Sequence, residues 1–183
     1  MSDAAGAPLP PVRILAAGGT FDKHYDPIAG QLSFSTTHLP ALLDSARCAP
    51  PVRLEVAMLV DSLDMTDAHR QDLLARCRAA TERAIVIVHG TDTMTDTAGV
   101  LGAARLPATI VLTGAMVPIE VAGSDGAFNL GFAMACAQLL PPGVWVAMNG
   151  TARPWDDVRK DRVRGVFEPM APRPGSDDAQ SIA

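Results

Sequence analysis

Little in this chain is aromatic: 4% of its 183 residues, with two tryptophans and a single tyrosine, Tyr25. Cysteine is also sparse. Cys48, Cys77 and Cys136 are odd in number, widely spaced and free of any C-x-x-C pair, which points to reduced thiols rather than a disulfide framework. Positive charge is in deficit, with 15 Lys and Arg against 20 Asp and Glu and a net charge of -5. That balance argues against a general nucleic-acid or membrane-surface partner. No apolar run is long enough to span a bilayer, and the small, proline-rich stretch Met1–Pro11 has no basic n-region. Neither a signal peptide nor a transmembrane helix is therefore read, and a cytoplasmic address is the expectation.

Cofactor motifs are missing too. Gly18-Gly19 lacks the G-x-G-x-x-G pattern of dinucleotide sites, and no G-x-x-x-x-G-K-[ST] phosphate loop occurs. His24, His38, His69 and His89 lie far apart, with no pair at helical or strand spacing. His69 reads as solvent-facing and His89 as a satisfied buried residue. Asp61 and Asp64 could hold Mg²⁺, but two carboxylates after a strand are common by chance. No metal and no cofactor is expected.

What remains is aliphatic, 48% hydrophobic, in alternating strand and helix patterns. Strands are predicted at Val12–Ala17, Val52–Val60, Ile85–Val88, Thr109–Thr113 and Val144–Met148, with a further one at Val163–Phe167. Helices are predicted at Leu39–Arg47, Thr66–Arg83, Ala98–Arg105 and Gly126–Leu140. Leu73, Leu74, Cys77 and Ala80 form the inner face of the second helix, with Arg70, Asp72, Arg76 and Arg78 outward. Asp22–Thr37 reads as a surface loop. The pattern is that of an α/β protein, a three-layer sandwich with a mostly parallel, Rossmann-like sheet. Residues 12–168 form the expected domain, between flexible tails at 1–11 and 169–183.

Polar clusters close several strands: Gly18–Thr20, Asp61–Asp64, Gly90–Thr93, Thr113–Gly114 and Asn149–Thr151. In open α/β sheets, strand carboxyl ends are where ligands bind. Threonine chemistry fits this inventory best, because an alcohol needs a neighbouring group to take its proton. Thr20 follows two glycines, Tyr25 lies on the next loop, Thr91 and Asp92 pair a hydroxyl with a carboxylate, and Lys160 is a candidate base in a crowded cationic run. Most of that run, Arg153 to Arg164, is interleaved with aspartates and reads as a solvated face.

Gly18-Gly19-Thr20, His89-Gly90-Thr91-Asp92-Thr93 and Asp157-Val158-Arg159-Lys160 resemble blocks of the bacterial-type L-asparaginases, a threonine-dependent amidohydrolase family. Asp61-Ser62-Leu63-Asp64-Met65, Thr113-Gly114-Ala115-Met116 and Ser124-Asp125-Gly126 with Asn129-Leu130 match further blocks in the same order, from about Ile14 to about Arg164. The resemblance implies hydrolysis of L-asparagine to L-aspartate and ammonia through a covalent β-acyl-threonine, without cofactor. It assigns Thr20 as nucleophile, Tyr25 as its activator, and Thr91, Asp92 and Lys160 as a second catalytic group. It also assigns Gly19, Ser62, Leu63, Gly90, Thr91 and Asp92 to substrate binding, Ser62 at the α-carboxylate and Asp92 at the α-ammonium. Leu63 stands where some members have glutamine, and the chain corresponds to the family's N-terminal catalytic domain. The short loop between Thr20 and Tyr25 resembles a single-domain, short-chain branch. A homo-oligomer, dimer or higher, is expected. Alternatives in other classes are a silent small-amino-acid binding module, an amidohydrolase acting on glutamine or another amide, one with a self-cleaved N-terminal threonine, and a racemase.

Overall fold

Runs of β-branched residues restrict χ1 and favour the pleated conformation, and two such runs, Ile85–Val88 and Thr109–Thr113, lie at the centre of the protein. The computed structural model describes residues 9–170, so most of the tails predicted at 1–11 and 169–183 lies outside the described residues. In chain order the main elements are β1 (Val12–Gly18), β2 (Lys23–Asp26), β3 (Gln31–Phe34), α1 (Leu39–Ser45), β4 (Val52–Val60) and α2 (Asp67–Ala79). They continue with β5 (Ala84–Val88), α3 (Met94–Ala103), β6 (Thr109–Thr113), α4 (Gly126–Leu139), β7 (Gly143–Met148), β8 (Thr151–Pro154), β9 (Arg159–Asp161) and β10 (Val166–Glu168). Six strands form one sheet in the order β4-β1-β5-β6-β7-β8, parallel except for the edge pair β7–β8.

Both faces of this sheet are covered, which is why its central strands read as unbroken apolar runs rather than alternating ones. Ile85 and Ile87 of β5 join Leu15, Leu112, Leu73 and Leu101 in the core under α2 and α3. Their neighbours Val86 and Val88 join Ile14, Val111, Leu130 and Met134 in a second core under α1 and α4. Side chains alternate along a strand, so one sequence supplies both cores. Each fully buried Val, Leu or Ile contributes about 1.5–3 kcal/mol of transfer free energy. The result is the expected three-layer α/β sandwich.

Strand order also locates the ligand-binding edge. After β1 the chain leaves through α1, on one face, to reach β4. After β5 it leaves through α3, on the other face, to reach β6. The crevice between the carboxyl ends of β1 and β5 is thus the topological switch point.

Three details depart from the sequence reading. The stretch predicted as a loop from Asp22 to Thr37 contains the antiparallel hairpin β2–β3, and β9–β10 form a second hairpin that includes only the end of the predicted last strand. Neither has the long apolar run that marks the central strands. Arg70, read as outward, is buried at 8% exposure. Its guanidinium donates to the Met65 carbonyl (3.2 Å) and to Asp67 (3.3 Å), so local acceptors compensate for its burial. Helix α2 ends at Ala79, short of Arg83; Thr66 caps its start, with the Thr66 hydroxyl accepting from the His69 N–H and the His69 ring accepting from the Thr66 N–H.

Candidate active site

The four strand ends at the switch point are packed so closely that three of them require glycine. Gly19 has φ 76°, and a Cβ placed on it would lie 2.2 Å from Gly90 Cα. A Cβ on Gly90 would lie 2.5 Å from both Cβ and Oγ of Ser62. One on Gly114 would lie 2.3 Å from the His89 carbonyl oxygen. Glycine alone tolerates both the positive φ and the approach. These contacts bring the turn after β1, the turn after β4 and the turn after β5 together, so Thr20, Ser62 and the Thr91–Asp92 pair surround one crevice.

Thr20 begins a single 3-10 turn, Thr20–Asp22, and is half-buried. Its hydroxyl has no hydrogen-bond partner among the described residues. Ser62 is 2% exposed, and its carbonyl accepts from the Thr93 hydroxyl at 2.7 Å, tying the β4 turn to the β5 turn. Leu63 projects outward at 65% exposure. Below Leu63, Asp61 accepts from the Leu63 N–H at 3.0 Å and pairs with Lys23. Burial works against ionisation of Asp61, yet the Lys23 ammonium and the Leu63 N–H outweigh it and hold the carboxyl below the usual range.

Lys160 supplies the second catalytic-type cluster. It lies on β9, whose hairpin is anchored to the core by buried Val158 and Phe167. Lys160 Nζ donates to Thr91 Oγ1 and to Asp92 Oδ1, both at 2.8 Å, with its side chain only 12% exposed. A groove of ≈ 590 Å³ borders the pair, lined among others by Asp92, Asp96, Trp155, Lys160 and Arg162.

His89 supports this arrangement from below. It is fully buried, and burial pushes its imidazole down to about 4 despite the hydrogen bond to Gly90. A carbonyl can only accept, so Nδ1–H donates to the Gly90 oxygen at 2.7 Å and Nε2 accepts from the Thr97 hydroxyl at 2.9 Å. The neutral ring thereby fixes the peptide between Gly90 and Thr91. Its satisfied, buried state is the one read from sequence.

Asp125 and Asn129 are site-building residues whose role the sequence did not reveal. Asp125 accepts from the Met116 and Val117 N–H groups at 2.9 and 3.1 Å. Asn129 donates to the Gly114 carbonyl at 3.0 Å and to Asp125 at 2.8 Å, and accepts from the Asn149 N–H at 3.1 Å. Together they hold the strand-end loops after β6 and β7. The signal that pointed to them is the matching block Ser124-Asp125-Gly126 with Asn129-Leu130, which carried no role.

Tyr25 is not joined to this cluster. It lies on β2 at 60% exposure, and its phenol has no hydrogen-bond partner among the described residues; its backbone N–H donates to Glu120 at 3.2 Å. The histidines also differ from expectation. His24 and His38, far apart in sequence, stack with ring centroids 4.1 Å apart beside Glu120, because the β2–β3 hairpin folds back on the segment before α1.

A parallel α/β sheet with hydroxyl, carboxylate and ammonium groups gathered at its switch point defines a small-molecule site of the strand-end class. Residues 11–166 match the family model described as Asparaginase, N-terminal. The chain belongs to the asparaginase family. It is 33% identical to the probable periplasmic L-asparaginase of Haemophilus influenzae, over 96% of this chain and 53% of that protein. It is 31% identical to L-asparaginase 2 of Escherichia coli, over 88% of this chain and 49% of that one. The solved structure of L-asparaginase I from Vibrio cholerae superposes with a TM-score of 0.79 at 25% identity, covering 88% of this chain and 51% of that chain. The chain thus spans about half the length of the relatives it matches. No helix among the described residues is long and apolar enough to cross a membrane.

Proposed function

We propose that residues 12–168 form an asparaginase-type catalytic unit that hydrolyses the side-chain amide of L-asparagine. The observation that carries the reading is the lysine-centred pair of 2.8 Å hydrogen bonds to Thr91 and Asp92, set across the Gly19–Gly90 contact from the free Thr20 hydroxyl. In this reading Thr20 Oγ bonds to the amide carbon and its proton passes to the nitrogen, a transfer that the resemblance assigns to Tyr25 although its exposed phenol makes no hydrogen bond to Thr20 among the described residues. The C–N bond then breaks and ammonia leaves a β-aspartyl threonine ester. A water activated at Thr91, with Lys160 supporting that hydroxyl, attacks the ester; Thr20 regains its proton and aspartate departs. The Thr91 N–H, fixed by His89, faces the developing oxyanion. Ser62 and Asp92 take the α-carboxylate and α-ammonium, Gly19 and Gly90 admit the substrate against the backbone, and Leu63 forms an outer wall. No step calls for a metal or an organic cofactor.

The test is ammonia release from asparagine and from glutamine by the purified chain and by Thr20→Ala. The expected result is release by the parent with preference for asparagine, and loss of at least about 10³-fold in the variant, whose fold is retained. A variant with a near-parental rate removes Thr20 from the mechanism. A second reading, a binding module without turnover, is favoured by the exposed Tyr25; it predicts a thermal shift with aspartate or asparagine and no ammonia.

We further infer that the working form is a homo-oligomer in the cytoplasm without nucleic-acid or membrane partners. Its support is α4, where Leu130 and Met134 are buried while Phe128 and Leu139 are 63% and 82% exposed. Reduced thiols and net negative charge accord with the address and with the partners left out. Sedimentation followed with specific activity over a dilution series tests it; a fully active monomer at every concentration refutes it.

A further inference from the structure

The hairpin β2–β3 carries Tyr25, and its neighbour His24 sits in a group of polar side chains outside the catalytic cluster. His24 Nδ1 lies 3.0 Å from Glu120 Oε1, and His38 Nε2 lies 3.9 Å from the same oxygen. Ligand atoms of these three residues all fall within 4.8 Å of one another. Two features determine how they face each other. His24 Nε2 is 2.9 Å from the Thr36 carbonyl, which can only accept, so Nε2 bears the hydrogen and a neutral ring turns its Nδ1 lone pair toward the carboxylate. His38 Nε2 is buried and has no hydrogen-bond partner among the described residues. Two imidazole nitrogens and a carboxylate oxygen therefore converge on a space that calls for positive charge.

The residues around them behave as supports. The Thr36 carbonyl sets the His24 ring, as backbone carbonyls do for metal-bound histidines. Glu120 Oε1 accepts from the Tyr25 N–H at 3.2 Å, which orients the carboxylate. Buried Asp22 accepts from the His38 N–H and the Thr37 hydroxyl, both at 3.0 Å, and fixes the backbone from which His38 extends. Tetrahedral ligands with bonds of about 2.0–2.1 Å stand about 3.3 Å apart, between the two separations found here. Side-chain exposures of 23%, 18% and 37% leave a path for an ion and a fourth position for water.

We propose that His24, His38 and Glu120 form a binding site for a divalent transition-metal ion of the zinc type, which staples the β2–β3 hairpin to the segment before α1 and to the loop at Glu120. Two imidazoles and one carboxylate suit such ions better than Mg²⁺ or Ca²⁺, which take all-oxygen sets. The three ligands come from three separate stretches of chain, so one ion ties together segments that are apart in sequence. The site lies on the hairpin that carries Tyr25 but includes neither Thr20 nor the Thr91, Asp92 and Lys160 group, so its metal affinity is read independently of the activity proposed above.

The experiment uses the full chain with Cys48→Ser, which removes the least buried thiol as a competing ligand. Co²⁺ is titrated by visible absorption, Zn²⁺ is used to displace it, and backbone amide exchange is followed in both states. The expected result is one Co²⁺ per chain without thiolate charge transfer, displacement by Zn²⁺, and slower exchange across Lys23–Phe34 when Zn²⁺ is bound. His24→Gln, His38→Gln and Glu120→Gln each weaken binding by at least about tenfold, with melting temperatures in EDTA close to the parent. Glu120→Gln decides the matter if a histidine variant fails to fold, because it keeps an acceptor for the Tyr25 N–H. Absence of saturable binding overturns the site and leaves a protonated His24–Glu120 ion pair in its place. Binding that persists undiminished in Glu120→Gln overturns it as well, and binding without slower exchange overturns the staple.

Discussion

Lys160→Met isolates the contribution of one charge, since it keeps an unbranched stem of similar length and removes the ammonium. In the parent that group donates two charge-assisted hydrogen bonds of 2.8 Å, to Thr91 Oγ1 and Asp92 Oδ1. Bonds to a charged group contribute about 1.5–3 kcal/mol each. The Asp92 side chain is 36% exposed, so water replaces part of its bond and the lower end applies there. A loss of about 3–4.5 kcal/mol in transition-state stabilisation follows, which is about 150- to 2,000-fold in kcat/KM. In the proposed mechanism Lys160 supports the Thr91 hydroxyl at which water is activated, so kcat and kcat/KM should fall together while KM changes little. A continuous ammonia assay over a range of asparagine concentrations separates the two parameters. The hairpin itself should survive, held by Val158 and Phe167. A loss below about tenfold, or about 1.4 kcal/mol, places Lys160 with the solvated charges around it and refutes the lysine-centred mechanism.

Other perturbations test neighbouring parts of the site. Gly19→Ala puts a Cβ 2.2 Å from Gly90 Cα at a φ of 76°, so it should cut activity by more than about 10²-fold and lower the melting temperature; near-parental values on both counts contradict the glycine contact. Exhaustive chelation should leave turnover intact, because His24, His38 and Glu120 hold none of the reacting atoms; activity lost with EDTA and restored by Zn²⁺ or Mg²⁺ would overturn the metal-free route. His89, held down to about 4 by burial, makes folding acid-sensitive. Between pH 6.5 and about 4 the unfolded chain binds a proton there that the folded one refuses, so stability falls as pH drops through that window. Urea midpoints should report about 2 kcal/mol lost from pH 7 to pH 5, and His89→Asn should flatten that slope. An unchanged slope assigns the acid sensitivity elsewhere.

Much of this architecture is legible in the residues because burial on both faces leaves a plain mark. Ile85–Val88 and Thr109–Thr113 are unbroken apolar or β-branched runs, and they lie where such runs should, at the centre of the sheet. The crevice is legible too, since Gly19, Ser62, Gly90, Thr91 and Asp92 follow strands directly and meet wherever the strand ends meet. What the sequence conceals is what depends on distant partners. Lys23–Asp26 and Gln31–Phe34 are short and half-polar, and only their pairing makes them strands. Arg70 has the composition of an outward residue, and only the position of the Met65 carbonyl explains its burial. His24 and His38 have no ligand spacing along the chain, because the fold of the hairpin creates theirs. Tyr25 shows the converse: its assignment comes from resemblance, and its exposed phenol has no hydrogen-bond partner among the described residues.

The Gly19–Gly90–Ser62 contact also bears on how the substrate range of such a site can drift. Its floor is made of main chain and one small side chain, already at touching distance, so neither Gly19 nor Gly90 can take a side chain without displacing the turns that carry Thr20 and Thr91. Variation is confined to the walls. Leu63 stands outward beside Ser62 with 65% of its surface free, and the β2–β3 hairpin brings Lys23 against Asp61 on another side. A longer or differently branched amide would therefore be admitted by exchanges at Leu63 or along that hairpin, while the reacting groups stay where the glycines hold them. Selection for a new substrate, in the laboratory or outside it, should leave Gly19 and Gly90 untouched and accumulate its changes at the rim.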